Sequence, residues 1–244
     1  MSSGNKQINA TTVKLGIYET STDAQLVGML GQKKELEDGR KFVLCKAGEA
    51  LAAGYLTQMP AQDDEDDELV VNTAAAIGDK EIEVTVTTAH GGYDEDELKD
   101  GFLCVTLENS SDEGTFYKIK GNDAFVADAT ATIFLYDGLT TILTATDNEV
   151  AVCLNPFKDV VIDANSSPLA GVPYLAVDSG AYFWNLCEGF GPGIDGGSGG
   201  TAGGYVLHLA GEVNVATSAE RAIGVIMSDC ATDEGVIVKY FPMH

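Results

Sequence analysis

The sequence predicts a mainly β protein: a β-barrel or sandwich that carries a second, inserted β domain and an extended N-terminal arm. Three observations predict it. No segment sustains a helical period, whereas short apolar runs alternate with polar residues, most strictly where Ile82, Val84 and Val86 interleave with Glu81, Glu83, Thr85 and Thr87. Turn residues punctuate these runs, at Gly121-Asn122-Asp123, Asp137-Gly138 and Asp147-Asn148. The stretch Gly171–Gly204 (GVPYLAVDSGAYFWNLCEGFGPGIDGGSGGTAGG) turns from an aromatic run to glycine-rich text that no helix tolerates.

Taken in order, residues 1–28 are polar apart from a brief alternation at Val13–Tyr18, and read as the arm. Phe42-Val43-Leu44 makes a strand, Lys46-Ala47-Gly48 turns, and Tyr55-Leu56 restarts a strand. Gly48 and Gly54 bracket the alanines between them too closely for a helix. Six consecutive acids, Asp63 to Glu68, repel one another and are expected as a solvated loop at a domain boundary; they lack the alternating ligands and central glycine of an EF-hand. Residues 61–168 are expected as the inserted acidic β domain, with strands at 81–87, 102–107, 115–119, 131–136 and 149–154.

Residues 29–60 and 169–244 then form the other domain. Within it Tyr174-Ala176 and Tyr182–Leu186 are expected as two strands joined across Asp178-Ser179-Gly180, with Trp184, the one tryptophan, in the core. From Gly189 to Gly204 the chain is expected to cross a flexible surface loop before returning at Tyr205. Strands at 205–209, 222–227 and 236–241 close the chain.

Charge narrows the function. The formal net charge is −24, which repels nucleic acid. It is uneven. Residues 1–46 hold seven basic and five acidic residues, a net +2, so the remainder carries −26. A mildly basic leading segment on an acidic body points to an arm that docks on a partner, with Lys6, Lys14, Lys33, Lys34, Arg40 and Lys41 as candidate contacts beside the aromatic run Tyr182, Phe183 and Trp184. No apolar run reaches the roughly 18 residues of a membrane helix, and MSSGNKQINATT has no signal-peptide core; synthesis in a cytosol is expected. The five cysteines are scattered without a CxxC and read as free thiols.

Motifs of catalysis are weak. Gly191–Gly196 matches GxGxxG, but no helix follows to cradle a phosphate. Gly196–Gly200 matches GxSxG without the strand-to-helix turn of a nucleophile elbow. His90 sits in a glycine-rich turn, His208 in a strand and His244 at the terminus. No catalytic residue, cofactor or metal is assigned.

The text GRKFVLCKAGEALAAGYL (Gly39–Leu56) resembles a pattern near the start of tailed-bacteriophage virion structural proteins, a strand running into an alanine-glycine turn. The likeness continues at FYKIKGN (Phe116–Asn122), IFLYDGL (Ile133–Leu139), VCLNPF (Val152–Phe157), GVPYLAVDSGAYFWNLCEGFGPG (Gly171–Gly193) and Ile223–Phe241. The group it resembles is the head decoration, or capsid cement, proteins of marine and cyanobacterial phages. That resemblance implies a β-rich subunit, without enzymatic activity, that binds the outer capsid surface as a homotrimer and clamps neighbouring major capsid protein subunits. A fibre or surface module recognising carbohydrate or a host receptor is the second reading, marked by exposed aromatics in the middle domain. An acidic β-fold hydrolase, built from two carboxylates that meet in space, is the third.

Overall fold

The computed structural model describes residues 15–24, 29–63, 65–67, 69–107, 114–146, 148–196, 202–209, 211–215, 222–231 and 234–243. Its strands, in chain order, are β1 (Lys33–Glu35), β2 (Lys41–Lys46), β3 (Thr57–Gln58), β4 (Leu69–Val71), β5 (Glu81–Thr85), β6 (Phe102–Leu107), β7 (Phe116–Asn122), β8 (Thr130–Leu135), β9 (Glu149–Cys153), β10 (Val161–Ile162), β11 (Leu169–Pro173), β12 (Tyr182–Ile194), β13 (Tyr205–Leu209), β14 (Glu212–Val215), β15 (Gly224–Ile226) and β16 (Gly235–Tyr240). Among the described residues there is no helix long and apolar enough to cross a membrane.

The chain divides into two units, residues 1–60 with 157–244, and residues 61–156. The insertion therefore ends at Pro156 and not at residue 168. Residues 157–168 join the first unit because β10 pairs antiparallel with β3, Val161 opposite Gln58, and Val160 bridges Ala47.

The inserted unit is a closed antiparallel barrel, β4-β5-β8-β7-β6-β9. Alternation builds it: Ile82 and Val84 of β5, and Ala131, Ile133 and Leu135 of β8, point inward and are buried, while their neighbours face out. Gly121 and Asn122, expected in a turn, belong to β7, which carries a bulge between Ile119 and Gly121 where it meets β8.

The first unit is a sheet of order β10-β3-β11-β12-β16-β15-β13-β14, with β2, edged by β1, also pairing with β12. β2 is apolar without alternation because both its faces are covered. Phe42 and Leu44 join one core with Trp184 and Leu186, and Val43 and Cys45 join a second with Phe183. The strand expected at Tyr55-Leu56 starts two residues later, at Thr57. No strand forms at Tyr174-Ala176: β11 ends before it, at Pro173, and beyond it only Val177 makes a bridge, to Leu51.

Two expectations are overturned here. The chain does not leave the core at Gly189: β12 continues to Ile194, pairing Gly189–Ile194 with Tyr240–Gly235 of β16 after a bulge at Leu186–Glu188. Its glycines serve packing. A Cβ on Gly191 would overlap Leu186 Cδ2, so glycine lets the two meet. Asp195 and Gly196 still bond to the sheet through Val213, and residues 197–201 of the expected loop lie outside the described residues. Nor is the leading segment wholly an arm. Leu15 is buried in the core, its carbonyl accepts a 2.9 Å bond from Trp184 Nε1, and Ser21 bridges Tyr182. Residues 1–14, with Lys6 and Lys14, lie outside the described residues.

Candidate functional site

The sheet formed by β12, β16, β15 and β13 has one face in the core and one in solvent. Inward go Gly191, Val236, Val238, Tyr240, Gly224, Ile226 and Val206, all buried. Register places the outward residues in rows. Phe190 lies opposite Lys239, which lies opposite Val225, which lies opposite Tyr205; Pro192 lies opposite Ile237, which meets Met227 through the Met227 N–H. Phe190, Ile237, Met227, Tyr205 and Phe241 are exposed, Ile237 by 54%. Lys239 is the one formally charged side chain in these two rows, and its Nζ lies 5.9 Å from the Phe190 ring. A sheet face turned to water is ordinarily polar. An exposed apolar patch of this kind is a candidate interaction surface.

At the edge of this face Tyr174, Phe190, Pro192 and Ile237 line a groove of about 390 Å³. Tyr174 donates its hydroxyl to the Phe190 carbonyl and receives a 3.3 Å bond from Arg40 Nη1. Arg40 also binds Asp38 Oδ2 through Nε at 2.7 Å. The hydrogen bond to the Tyr174 hydroxyl is the largest cause of the upward shift of the Arg40 guanidinium. Arg40 is thus the one described member of the basic set that reaches the margin of the apolar face.

The other candidates are placed differently. Lys41 pairs with Glu188 at 2.7 Å. Lys34 lies 5.2 Å above the Trp184 ring, and Lys33 is exposed on β1. Phe183 and Trp184 are buried, Trp184 to 2% exposure, and Tyr182 is half-buried. Phe183 and Trp184 pack into the two cores on either side of the sheet, where β12 pairs with β2, and offer no free surface to a partner; Tyr182 packs against the core and stays partly exposed. No family model, curated protein or solved structure matches the chain.

In the barrel unit the acidic run does something other than repel water-facing neighbours. Asp66 is buried, against expectation. Both its oxygens accept the Tyr93 hydroxyl, at 3.0 and 2.7 Å, and Oδ1 lies 3.2 Å from Nε2 of the buried His90. Gly92 N–H donates to His90 Nδ1 at 2.8 Å, so the ring proton is on Nε2 and points at the carboxylate. Asp63 accepts the Gly91 N–H, at 2.9 Å, and the Glu65 N–H, at 3.0 Å, and these backbone bonds hold its carboxyl below the usual range. Burial pushes the Asp66 carboxyl and the Tyr93 phenol up. Every facing atom of Asp66, His90 and Tyr93 is thereby committed within the cluster, and no cluster of metal-ligating side chains occurs among the described residues. The arrangement pins the turn after Asp63 to the barrel.

The apolar face escaped the sequence reading, yet a signal was there. In Val236-Ile237-Val238-Lys239-Tyr240-Phe241 both faces of the strand are apolar except at Lys239. That pattern requires either two covers or one exposed apolar face.

Proposed function

We propose that this chain is a structural virion protein that binds the outer surface of a phage head and cements neighbouring major capsid protein subunits. The observation that carries the reading is the apolar face of β12, β16, β15 and β13 that the described residues leave exposed. Its occupant is a shell subunit. A second copy is the poorer fit, since face-to-face pairing would set Lys239 near its own counterpart between two bodies of net charge −24. Trimers, implied by the resemblance, then assemble on the shell, where several modest contacts act together. A strongly anionic body suits the outside of a particle whose interior holds phosphate.

Docking is assigned to Phe190, Ile237 and Met227, with Arg40 at the margin, in place of the aromatic run 182–184. The test is co-sedimentation of the purified chain with undecorated phage heads. The wild-type chain is expected to pellet with heads, and Ile237→Lys, on an exposed site that leaves the core untouched, to stay in the supernatant. Failure of the wild-type chain to bind heads sinks the function; equal binding by Ile237→Lys sinks the assignment of the face.

A further inference from the structure

We propose that the outer wall of the barrel around Tyr136 is a saccharide-binding site that takes an acidic sugar, a hexuronate unit. Asp96, Lys99, Lys120, Gly121, Phe134 and Tyr136 line a depression of about 490 Å³ there, within the size range of small-molecule sites. Tyr136 is 41% exposed, just past the end of β8, and Phe134 shares its outward side two residues earlier. The stripe continues across β7 and β6, where Phe116, 61% exposed, stacks on Phe102 at 5.1 Å and Lys118 Nζ lies 4.7 Å from the Phe102 ring. Aromatic faces turned to water on a barrel wall suit the C–H face of a sugar ring, which is apolar while its rim is hydroxylated.

The platform is held before any ligand arrives. The Tyr136 hydroxyl donates to Asp100 Oδ1 at 2.8 Å, its N–H donates to the Lys118 carbonyl at 3.1 Å, and its carbonyl accepts Lys80 Nζ at 2.8 Å. Burial and the bond to Asp100 push its phenol up to about 12, so it stays a neutral donor. An immobilised ring loses little freedom when a ligand stacks on it. The polar rim is equally set: Lys99 pairs with Asp96 at 3.2 Å, and Asp96 rests against Gly121, where a Cβ would overlap its carboxylate.

Charge selects the sugar. Residues 61–156 contain four basic residues, Lys80, Lys99, Lys118 and Lys120, in an otherwise acidic unit. Lys99 and Lys120 line the depression, Lys80 binds the Tyr136 carbonyl, and Lys118 binds the Asp100 carbonyl at 3.2 Å. The exposed Lys120 sits in the bulge of β7 and lines the depression together with Phe134 and Tyr136. A carboxylated sugar satisfies that ammonium while its hydroxyls meet Asp96 and Lys99.

Calorimetry on the full chain at physiological ionic strength, with trigalacturonate and the neutral maltotriose as probes, tests this. Trigalacturonate is expected to bind at least about tenfold more tightly than maltotriose. Tyr136→Ala and Lys120→Gln are each expected to weaken it about tenfold, and Tyr136→Trp to keep it. Lys120 is exposed and outside the core, so its replacement leaves the fold intact. No binding of trigalacturonate at millimolar concentration, equal affinity for maltotriose, or unchanged affinity in both Tyr136→Ala and Lys120→Gln would overturn the proposal. Phage heads take no part in the assay, so its outcome is separate from that of capsid docking.

Discussion

The Nε2 proton of His90 is aimed at Oδ1 of Asp66 across 3.2 Å, inside the barrel unit and out of water. A carboxylate in that position is costly unless its lone pairs are met, and Tyr93 supplies the second donor. Tyr93→Phe removes it while keeping the ring packed on Phe125. The variant is expected to lose about 1–3 kcal/mol of stability. Urea unfolding followed by circular dichroism measures it. In the double variant with Asp66→Asn the two losses should not add, because both act on one hydrogen-bonded pair.

The two acids of this turn have opposite pH signatures. Asp63 is depressed below its ordinary 3.8 by the Gly91 and Glu65 N–H groups. Its stabilisation is present above pH 3.8 and is lost as pH falls through the lower folded value. Asp66 is raised above 3.8 by burial, so its contribution favours the fold below 3.8 and declines as pH rises through the higher folded value. Asp63→Asn should therefore flatten the acid limb of stability below pH 3.8, and Asp66→Asn the slope just above it. Thermal melts over a pH series distinguish them. Identical slopes in both variants and the wild type would refute the assignment.

Trp184 reports on the leading segment. Its indole donates to the Leu15 carbonyl and shares a core with the Leu15 side chain. A chain starting at Leu15 is expected to keep the blue-shifted emission of a buried indole, whereas one starting at Met29 should emit to the red. The second deletion should also cost about 2–4 kcal/mol, for one buried leucine and one hydrogen bond. Because Trp184 is the one tryptophan, the emission maximum reads this site without interference.

Gly191 tests whether β12 continues through its glycines. A methyl group there meets Leu186 Cδ2 and lies 3.3 Å from the Tyr174 ring. Gly191→Ala is expected to destabilise the first unit by about 1–3 kcal/mol through overpacking. Were the segment a solvated loop, the same change would be neutral or slightly stabilising. Denaturation monitored at Trp184 separates the two.

Strands with one wet face were legible in the text. The alternation of residues 81–87 placed β5, and the runs at 102–107 and 149–154 placed β6 and, to within one residue, β9. The glycines of β12 misled, because glycine content signals backbone freedom and carries no record of which bulky neighbours need the space. Asp66 misled for a related reason. Six adjacent acids look uniformly solvated, and nothing local distinguishes the one that meets His90 and Tyr93 from farther along the chain. The aromatic run Tyr182–Trp184 reads in the sequence as a contact surface, yet Trp184 and Phe183 are the residues the core takes first, while the plainer Ile237, Met227 and Phe190 are exposed.

The order of amino acids by itself determined that this chain is β-built, interrupted by an acidic insertion, and strongly anionic, since alternation, turn residues and charge are local properties. Tertiary structure alone decided where the insertion ends, which acid is buried, and which face of the β12–β16–β15–β13 sheet the described residues leave exposed. Each of those depends on partners brought together from afar, as Leu44 is set opposite Trp184 and Pro192 opposite Ile237. A strand apolar on both faces can be hidden from water on either side, and only the pairing of distant strands determines which side that is.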